Sequence, residues 1–445
     1  MDKTSFIFYR GRRLWALMGF MVLLSHGILT SDTAHGKIYI DINAPSIRKF
    51  NIAIPDFKNQ SDGNQHPELA EGLPEVLAGD LDLSGFFNPM NKEAFLEDEN
   101  APMTAEGIRF KDWSVIGTEL LLKGRYTCIG RSLEVEIRLF DVFWGRQILG
   151  KRVLGKISHF RRLMHRLGND VILKLTGHEG MFLTKMAFVS NATGHKEIYV
   201  SDFDGKNVRQ ITKDRSIALS PRMSPDGQKL VYTSFKDGAP MLYLRDLKTD
   251  SETRISARSG LNMGASWASE GNMLALTLSR KGDPDIYAID LNGKLIKGLV
   301  THWGIDTSPS YSPNGKKMAF VSDRSGSPQI YVMDLETGRQ ERLTFEGKYN
   351  TDPSWSVTNQ IAFASLQGGH IDICTIDAEG GSPRKLTDGM EKNEEPCWSP
   401  NGRYLVFSSS QAEGRYQLYM MDANGQNKRR ITTLKADHTS PEWGP

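Results

Sequence analysis

The sequence predicts an all-β six-bladed β-propeller of four-stranded blades, its ring closed by the C-terminal strand, preceded by a small α/β domain. Three observations carry this. The segments IYVSD, LYLRD, IYAID, IYVMD, ICTID and LYMMD close on Asp202, Asp246, Asp290, Asp334, Asp377 and Asp422, at spacings of 44, 44, 44, 43 and 45 residues. A period of this length marks a repeat architecture. Each unit reads as four short strands separated by turn dipeptides, without the 3.6-residue periodicity of solenoid helices, which is the pattern of a propeller blade. Finally, the aromatic or Met position that opens each unit (Met223, Trp267, Tyr311, Trp355, Trp398, Trp443) is out of phase with the aspartates: Asp202 has no such residue before it, and Trp443 has no strands after it. HTSPEW (438–443) therefore reads as the missing first strand of the first unit. It closes the ring and hides strand edges that would otherwise pair with other chains.

The chain divides in order into four parts. Residues 1–36 form a signal peptide: Lys3, Arg10, Arg12 and Arg13 precede the apolar run 14–24, and Ala34 and Gly36 precede the cleavage point. The run is too short to persist as a membrane-spanning anchor, so export with cleavage is expected. Residues 37–48 are an N-terminal arm. Its segment KIYIDI (Lys37, Ile38, Tyr39, Ile40, Asp41, Ile42) alternates apolar and polar side chains and suits addition to the edge of a partner's sheet, the alternative being an edge strand of its own domain. Residues 49–178 form the α/β domain. PELAEGLPEVLAGDL reads as a helix, and LEVEIRLF as a half-buried strand between LLLKGRYTCI and RQILGKRVL. A second helix is expected from an N-cap at Ser158 to about Leu175, stopped by Gly177, with Arg161, Arg162 and Arg166 on a solvated face. Residues 179–445 are the propeller.

Within the repeat, Asp226-Gly227, Asn314-Gly315 and Asn401-Gly402 join first to second strands, and Asp204-Gly205, Asn292-Gly293 and Asn424-Gly425 join third to fourth. Such dipeptides suit two-residue hairpin turns. Cys374 fills the slot that holds Tyr199, Tyr243, Tyr287, Tyr331 and Tyr419 in the other units, so it reads as core. Cys397 stands where other units have Ser266, Ser310 and Ser354. With Cys128 these are the three cysteines, and no disulfide framework is expected.

Composition excludes several functions. A net charge of +2, from 55 basic and 53 acidic residues, argues against nucleic acid as a partner. There is no GxSxG, HExxH, CxxC or phosphate loop. A site is therefore expected at the central channel, where the first strands converge. The residues leading into those strands include Leu261, Asn262, Gly264, Asp306, Thr307, Asn350, Thr351, Asp352, Asn393 and Glu394. Their carboxamides, hydroxyls and carboxylates can satisfy the polar backbone of an inserted peptide loop. No catalytic residue and no cofactor are expected, although Asp and Asn oxygens are of the kind that hold a hard divalent cation such as calcium. A lactonase-like propeller enzyme with a metal in its channel is the alternative reading.

The repeats, such as SPSYSPNGKKMAFVSDRSGSPQIYVMDLETGRQERLT (308–344), resemble those of the TolB family. So do KIYIDINAP, IAIPDF, DLDLSGFFNP and the junction VILKLTGHEGMFLTKMAFVS, and the resemblance runs from about Lys37 to the end. It implies a non-enzymatic periplasmic component of the Tol-Pal envelope system, supporting outer-membrane integrity and constriction at division. The implied partners are the lipoprotein Pal at the channel mouth, giving peripheral association with the outer membrane, and TolA at the arm (37–42). Pal-facing family positions fall on Leu261, Gly264 and Thr307. The family often has His where this chain has Leu261, whereas Thr307 matches.

Overall fold

The computed structural model describes residues 40, 48–96, 102–280, 282–412 and 414–445. The signal peptide and, of the arm, Lys37, Ile38, Tyr39, Asp41 and Ile42 lie outside the described residues.

The first domain is built on a six-stranded sheet with strands β1 (Phe50–Ala53), β2 (Lys58–Asn59), β3 (Phe87–Pro89), β4 (Leu120–Ile129), β5 (Ser132–Asp141) and β6 (Arg146–Lys156). The order is β3-β1-β4-β5-β6, with β2 also on β4. β1 runs parallel to both neighbours, while β4, β5 and β6 form an antiparallel meander. Helix α1 (Leu69–Leu83) buries Leu69, Leu73, Val76, Leu77 and Leu81. Helix α2 (Phe110–Val115) sinks Trp113 into the core, and α3 (Phe160–Thr176) buries Leu167, Val171 and Leu175.

Two expectations for the secondary structure of this domain are corrected. The N-cap of α3 is His159 rather than Ser158, because Ile157–His159 forms a 3-10 turn ahead of it; Gly177 does close the helix, at φ +74°. Strand β5 is more than half-buried, since Glu136 on its polar side is enclosed too. Burial alone would raise that carboxyl. Hydrogen bonds from Arg125, Arg138 and Arg152 outweigh the desolvation and lower its pKa to about 2.

The remaining strands form six four-stranded antiparallel sheets. Five are contiguous in sequence, with first strands Ala218–Met223, Asn262–Trp267, Asp306–Tyr311, Tyr349–Trp355 and Asn393–Trp398. We number these blades 1 to 5. Blade 6 joins the last strand, His438–Gly444, to Lys185–Ser190, Glu197–Asp202 and Arg209–Gln210. Trp443 lies opposite Met186 and His438 opposite Ser190, so the chain's end closes the ring as the repeat phase required.

Local chemistry explains the period. The Thr ten residues after the aspartate ties the blade to itself. The hydroxyl of Thr212 accepts from Ile198 N (2.8 Å) and donates to Glu197; Thr344, Thr387 and Thr432 likewise accept from Ile330 N, Ile373 N and Leu418 N and donate to Gln329, Asp372 and Gln417. The tyrosine slot stacks on the phenylalanine of the second strand, as in Phe188–Tyr199 and Phe320–Tyr331. Cys374 fills that slot opposite Phe363, fully buried and free, as expected. The hairpins differ from the two-residue expectation. Gly227 N bonds Ser224 O at 2.8 Å, and only the glycine of each dipeptide has positive φ, so the connections are four-residue turns rather than type I′.

The first domain packs on the propeller face that carries these turns. Tyr404, at the start of a second strand, donates to Ser84 O (2.8 Å), and Arg429, at the start of a fourth strand, pairs with Asp82. Arg161 of α3 pairs with Asp204 in a third-to-fourth turn, so this arginine belongs to the junction and not to a solvated face. His165 Nδ1 bonds Asp80 at 2.8 Å, and burial raises the Asp80 pKa to about 6 against the pull of that imidazole.

Candidate functional site

In five of the six first strands the sequence places a polar residue five before the aromatic position, Ala218 being the exception. The structure turns these side chains away from the channel, and Asn262, Asp306, Asn350 and Asn393 are almost completely buried. Asn262 accepts from Ser256 Oγ (2.6 Å) and donates to Pro240 O (3.1 Å). Asn350 donates to Gln329 Oε1 and Glu346 O, both at 2.8 Å. Asp306 takes a guanidinium hydrogen bond from Arg324 (2.9 Å), and Asn393 faces Glu391 O at 3.5 Å. They peg the loops that lead into blades 2 to 5. The expectation that these four side chains present polar atoms at the channel mouth to an inserted loop is corrected on this ground.

Two residues on, the backbone enters the left-handed region in all six blades: Ser220, Gly264, Ser308, Asp352, Glu395 and Ser440 have φ between +50° and +59°. The pairing register slips there in every blade, which is a β-bulge. The bulge aims these residues at the axis, where they line a cavity of about 300 Å3. Gly264 and Asp352 therefore are channel residues. Next along, Ser266, Ser310, Ser354 and Cys397 each accept a backbone N–H from the following blade (Tyr311 3.4 Å, Trp355 3.1 Å, Trp398 3.2 Å, Trp443 3.3 Å), stapling the ring from within.

The channel is electrically lopsided, with Asp352, Glu395 and Glu442 on blades 4, 5 and 6, and Arg222 on blade 1 reaching Glu442 at 3.7 Å. Glu395 accepts from Ser440 Oγ (2.6 Å) and Ser408 Oγ (2.9 Å). Asp352 keeps some accessible surface, but it opens onto the narrow channel and not onto bulk water. Desolvation first, then the charge of Glu395, push its pKa up to about 6. Burial likewise raises Glu442 against Arg222, and raises the Cys397 thiol. Among the described residues, the one trio of His, Cys, Asp or Glu with ligand atoms within 4.8 Å of one another is Asp80, His165 and Asp204, at the domain junction and not in the channel.

The half-buried residues Leu261, Thr307, Thr351 and Glu394 stand at the mouth where the first strands begin. Up-and-down topology puts the fourth-to-first and second-to-third loops on this face, opposite the one covered by the first domain. These loops carry side chains that sequence reading missed. Trp303 is 71% exposed, Phe345 73% and Met390 91%, joined by Ile217, Ile305, Tyr349 and Leu434. Trp303 and Met390 each stand eight residues before the aromatic position, and Ile217, Ile305 and Tyr349 each six before it, but the residue type there changes from blade to blade, so motif reading passes over them. Together they rim an open polar mouth with apolar and aromatic surface, the composition of protein-binding patches.

Residues 38–148 match the family model described as the TolB amino-terminal domain, and residues 172–445 the one described as the TolB beta propeller domain. The Tol-Pal system protein TolB of Desulfosudis oleivorans is 42% identical over 199 residues, 44% of this chain and 45% of that one. That of Syntrophotalea carbinolica is 40% identical over 213 residues, 48% of this chain and 49% of that one. The chain thus spans about half the length of the curated relatives it matches. The crystal structure of TolB from Acinetobacter baumannii superposes with a TM-score of 0.78 at 29% identity, covering 92% of this chain and 100% of that one. With a propeller model matching well over half of its length and the amino-terminal model ahead of it, the chain belongs to the TolB family.

Proposed function

We propose that the chain is a non-enzymatic periplasmic scaffold of the Tol-Pal envelope system. Its open propeller mouth binds the lipoprotein Pal, and its N-terminal arm (37–42) is taken by TolA. The observation that carries the Pal reading is the contrast between the two propeller faces. One is closed by the chain's own domain through Tyr404–Ser84, Arg429–Asp82 and Arg161–Asp204. Among the described residues nothing covers the other, which is rimmed by Trp303, Phe345 and Met390. Exposed aromatics around a polar centre favour a partner that plugs the mouth with a loop and spreads over the rim, since such anchors carry most of the energy of an interface. The half-buried position of Thr307 at the mouth supports a contact with the inserted loop.

The test is titration of Pal against the mature protein and two variants. Trp303→Ser with Phe345→Ser removes rim anchors and should weaken binding at least tenfold. Thr307→Trp fills the mouth and should abolish it. Trp303 and Phe345 are exposed and Thr307 lies at the mouth outside the core, so the melting temperature of each variant should stay within about 2 °C. Parent-like affinity in both variants rules the mouth out.

A further inference from the structure

The arm reading leaves one surface of the first domain unexplained. At the β5–β6 turn the buried Val142 is followed by Phe143, 84% exposed, and Trp144, 54% exposed. The two rings meet edge to face, with centroids 5.0 Å apart and an interplanar angle of 88°. The turn is firmly built: Trp144 N bonds Asp141 Oδ1 at 3.0 Å, and Gly145 lies so close to the Phe110 ring that a Cβ there would stand 3.3 Å from it. Two adjacent aromatics held outward on a rigid turn have no structural use of their own, because either would gain by burial.

Their position says what they can meet. Val142 N bonds Glu119 O at 3.0 Å. The Glu119 carboxylate holds Arg48 and accepts from Asn51 N (3.2 Å). Arg48 is where the chain enters this domain from the arm. The aromatic tip therefore stands at the arm's root. From Ile42 to Arg48 is six residues, at most about 20 Å even when fully extended. A protein that captures residues 37–42 as an added strand is tethered within reach of Phe143 and Trp144.

We propose that Phe143 and Trp144 form a second contact for the protein that takes the arm, seating in a shallow apolar pocket beside the sheet edge that receives the strand. This rests on the arm reading above. The arm supplies main-chain hydrogen bonds, and the tip supplies two rigid rings with few rotamers to freeze. Holding both at once makes the second contact intramolecular, so it strengthens the first without a new encounter. A lipid surface is the other occupant that exposed aromatics could suit, but nothing ties lipid to the arm's root, whereas the partner is delivered there.

The experiment compares the mature protein, Phe143→Ser with Trp144→Ser, a deletion of residues 37–44, and a synthetic peptide of residues 37–48. Each is titrated with purified TolA, and far-ultraviolet circular dichroism confirms that each protein variant is folded. The double variant should bind ten- to a hundredfold more weakly than the parent and approach the peptide. If the deletion abolishes binding while the double variant binds like the parent, the tip proposal alone fails. Unchanged affinity in the deletion brings down the arm reading, and this proposal with it. Equal TolA binding by parent and double variant, combined with loss of co-sedimentation with phosphatidylethanolamine–phosphatidylglycerol vesicles in the latter, overturns the proposal in favour of lipid.

Discussion

Replacing Trp443 by Ala tests whether the last strand holds the ring shut. The indole is 4% exposed. Its Nε1–H donates to Thr184 Oγ1 at 2.8 Å, its backbone N–H to Cys397 Sγ at 3.3 Å, and its ring lies 6.3 Å from that of Tyr404. Truncating a buried Trp to Ala costs about 3–5 kcal/mol. With unfolding entropy near 2.1 cal/mol/K per residue, a propeller of this size should melt about 7 °C lower for a loss of about 4 kcal/mol. Trp355→Ala is the control. It removes the same side chain, likewise buried at 8% exposed, from a blade whose strands are contiguous in sequence. Both variants should lose similar stability. Only Trp443→Ala should release the first strand of blade 6 from its neighbour Lys185–Ser190 and leave that edge unpaired. Hydrogen exchange read by mass spectrometry should therefore rise sharply at 185–190 in Trp443→Ala and stay near parental in Trp355→Ala. Equal protection of 185–190 in the two variants refutes closure by this strand, as does a chain truncated at residue 435 that melts like the full-length protein.

Two further outcomes follow from burial at the pegging position. Asn350→Ala should destabilise by about 2 kcal/mol in urea titration, because it strips partners from buried Gln329 and from the Glu346 carbonyl, and any loss of Pal affinity should appear only alongside that destabilisation. His438 sits fully buried at the same position, and burial lowers its pKa to about 4, so it is neutral in the folded ring while the unfolded chain still takes up a proton near pH 6.5. Stability from this group is present above that pH and lost as pH falls toward 4, by about 2 kcal/mol between pH 7 and pH 5. Asp80 and Asp352, with raised pKa values, act in the opposite sense, so the quantity to measure is the difference between parent and His438→Asn, which should shrink by that amount on acidification; a pH-independent difference contradicts the assignment.

What the sequence revealed follows what repeats. Asp202 to Asp422 recur at nearly constant spacing because each blade must restart its backbone pattern, and the orphan Trp443 followed from the phase of that pattern. The pegging residues were legible as a column but misread in direction. An Asn at a strand's start looks solvated, yet its fixed register in three blades already pointed to a backbone duty of the kind Asn262 performs for the 256–262 loop. The rim was illegible for another reason: Trp303 and Met390 share a register but the residue type there varies between blades, Phe345 stands two positions away from it, and nothing local distinguishes an exposed apolar residue from a core one. Contacts across the domain junction, such as Asp82 with Arg429, join residues 347 apart in sequence and leave no periodic trace.

The left-handed residue in each first strand limits what can ever line the axis. β-branched side chains are strained at φ near +50°, and bulky apolar ones are disfavoured, so Val, Ile and Thr are barred from six inward-pointing positions irrespective of any ligand. Drift at those positions is confined to small or polar residues, and Ser, Gly, Asp and Glu are the four types this chain uses. The hydrophilic bore is thus inherited from the path of the main chain and carries no record of what passes through it. Selection for a partner has freer play at rim positions such as Trp303, Phe345 and Met390, none of which has a positive φ. Divergence in binding preference among relatives should accordingly be written in the loops, while the axis stays monotonous.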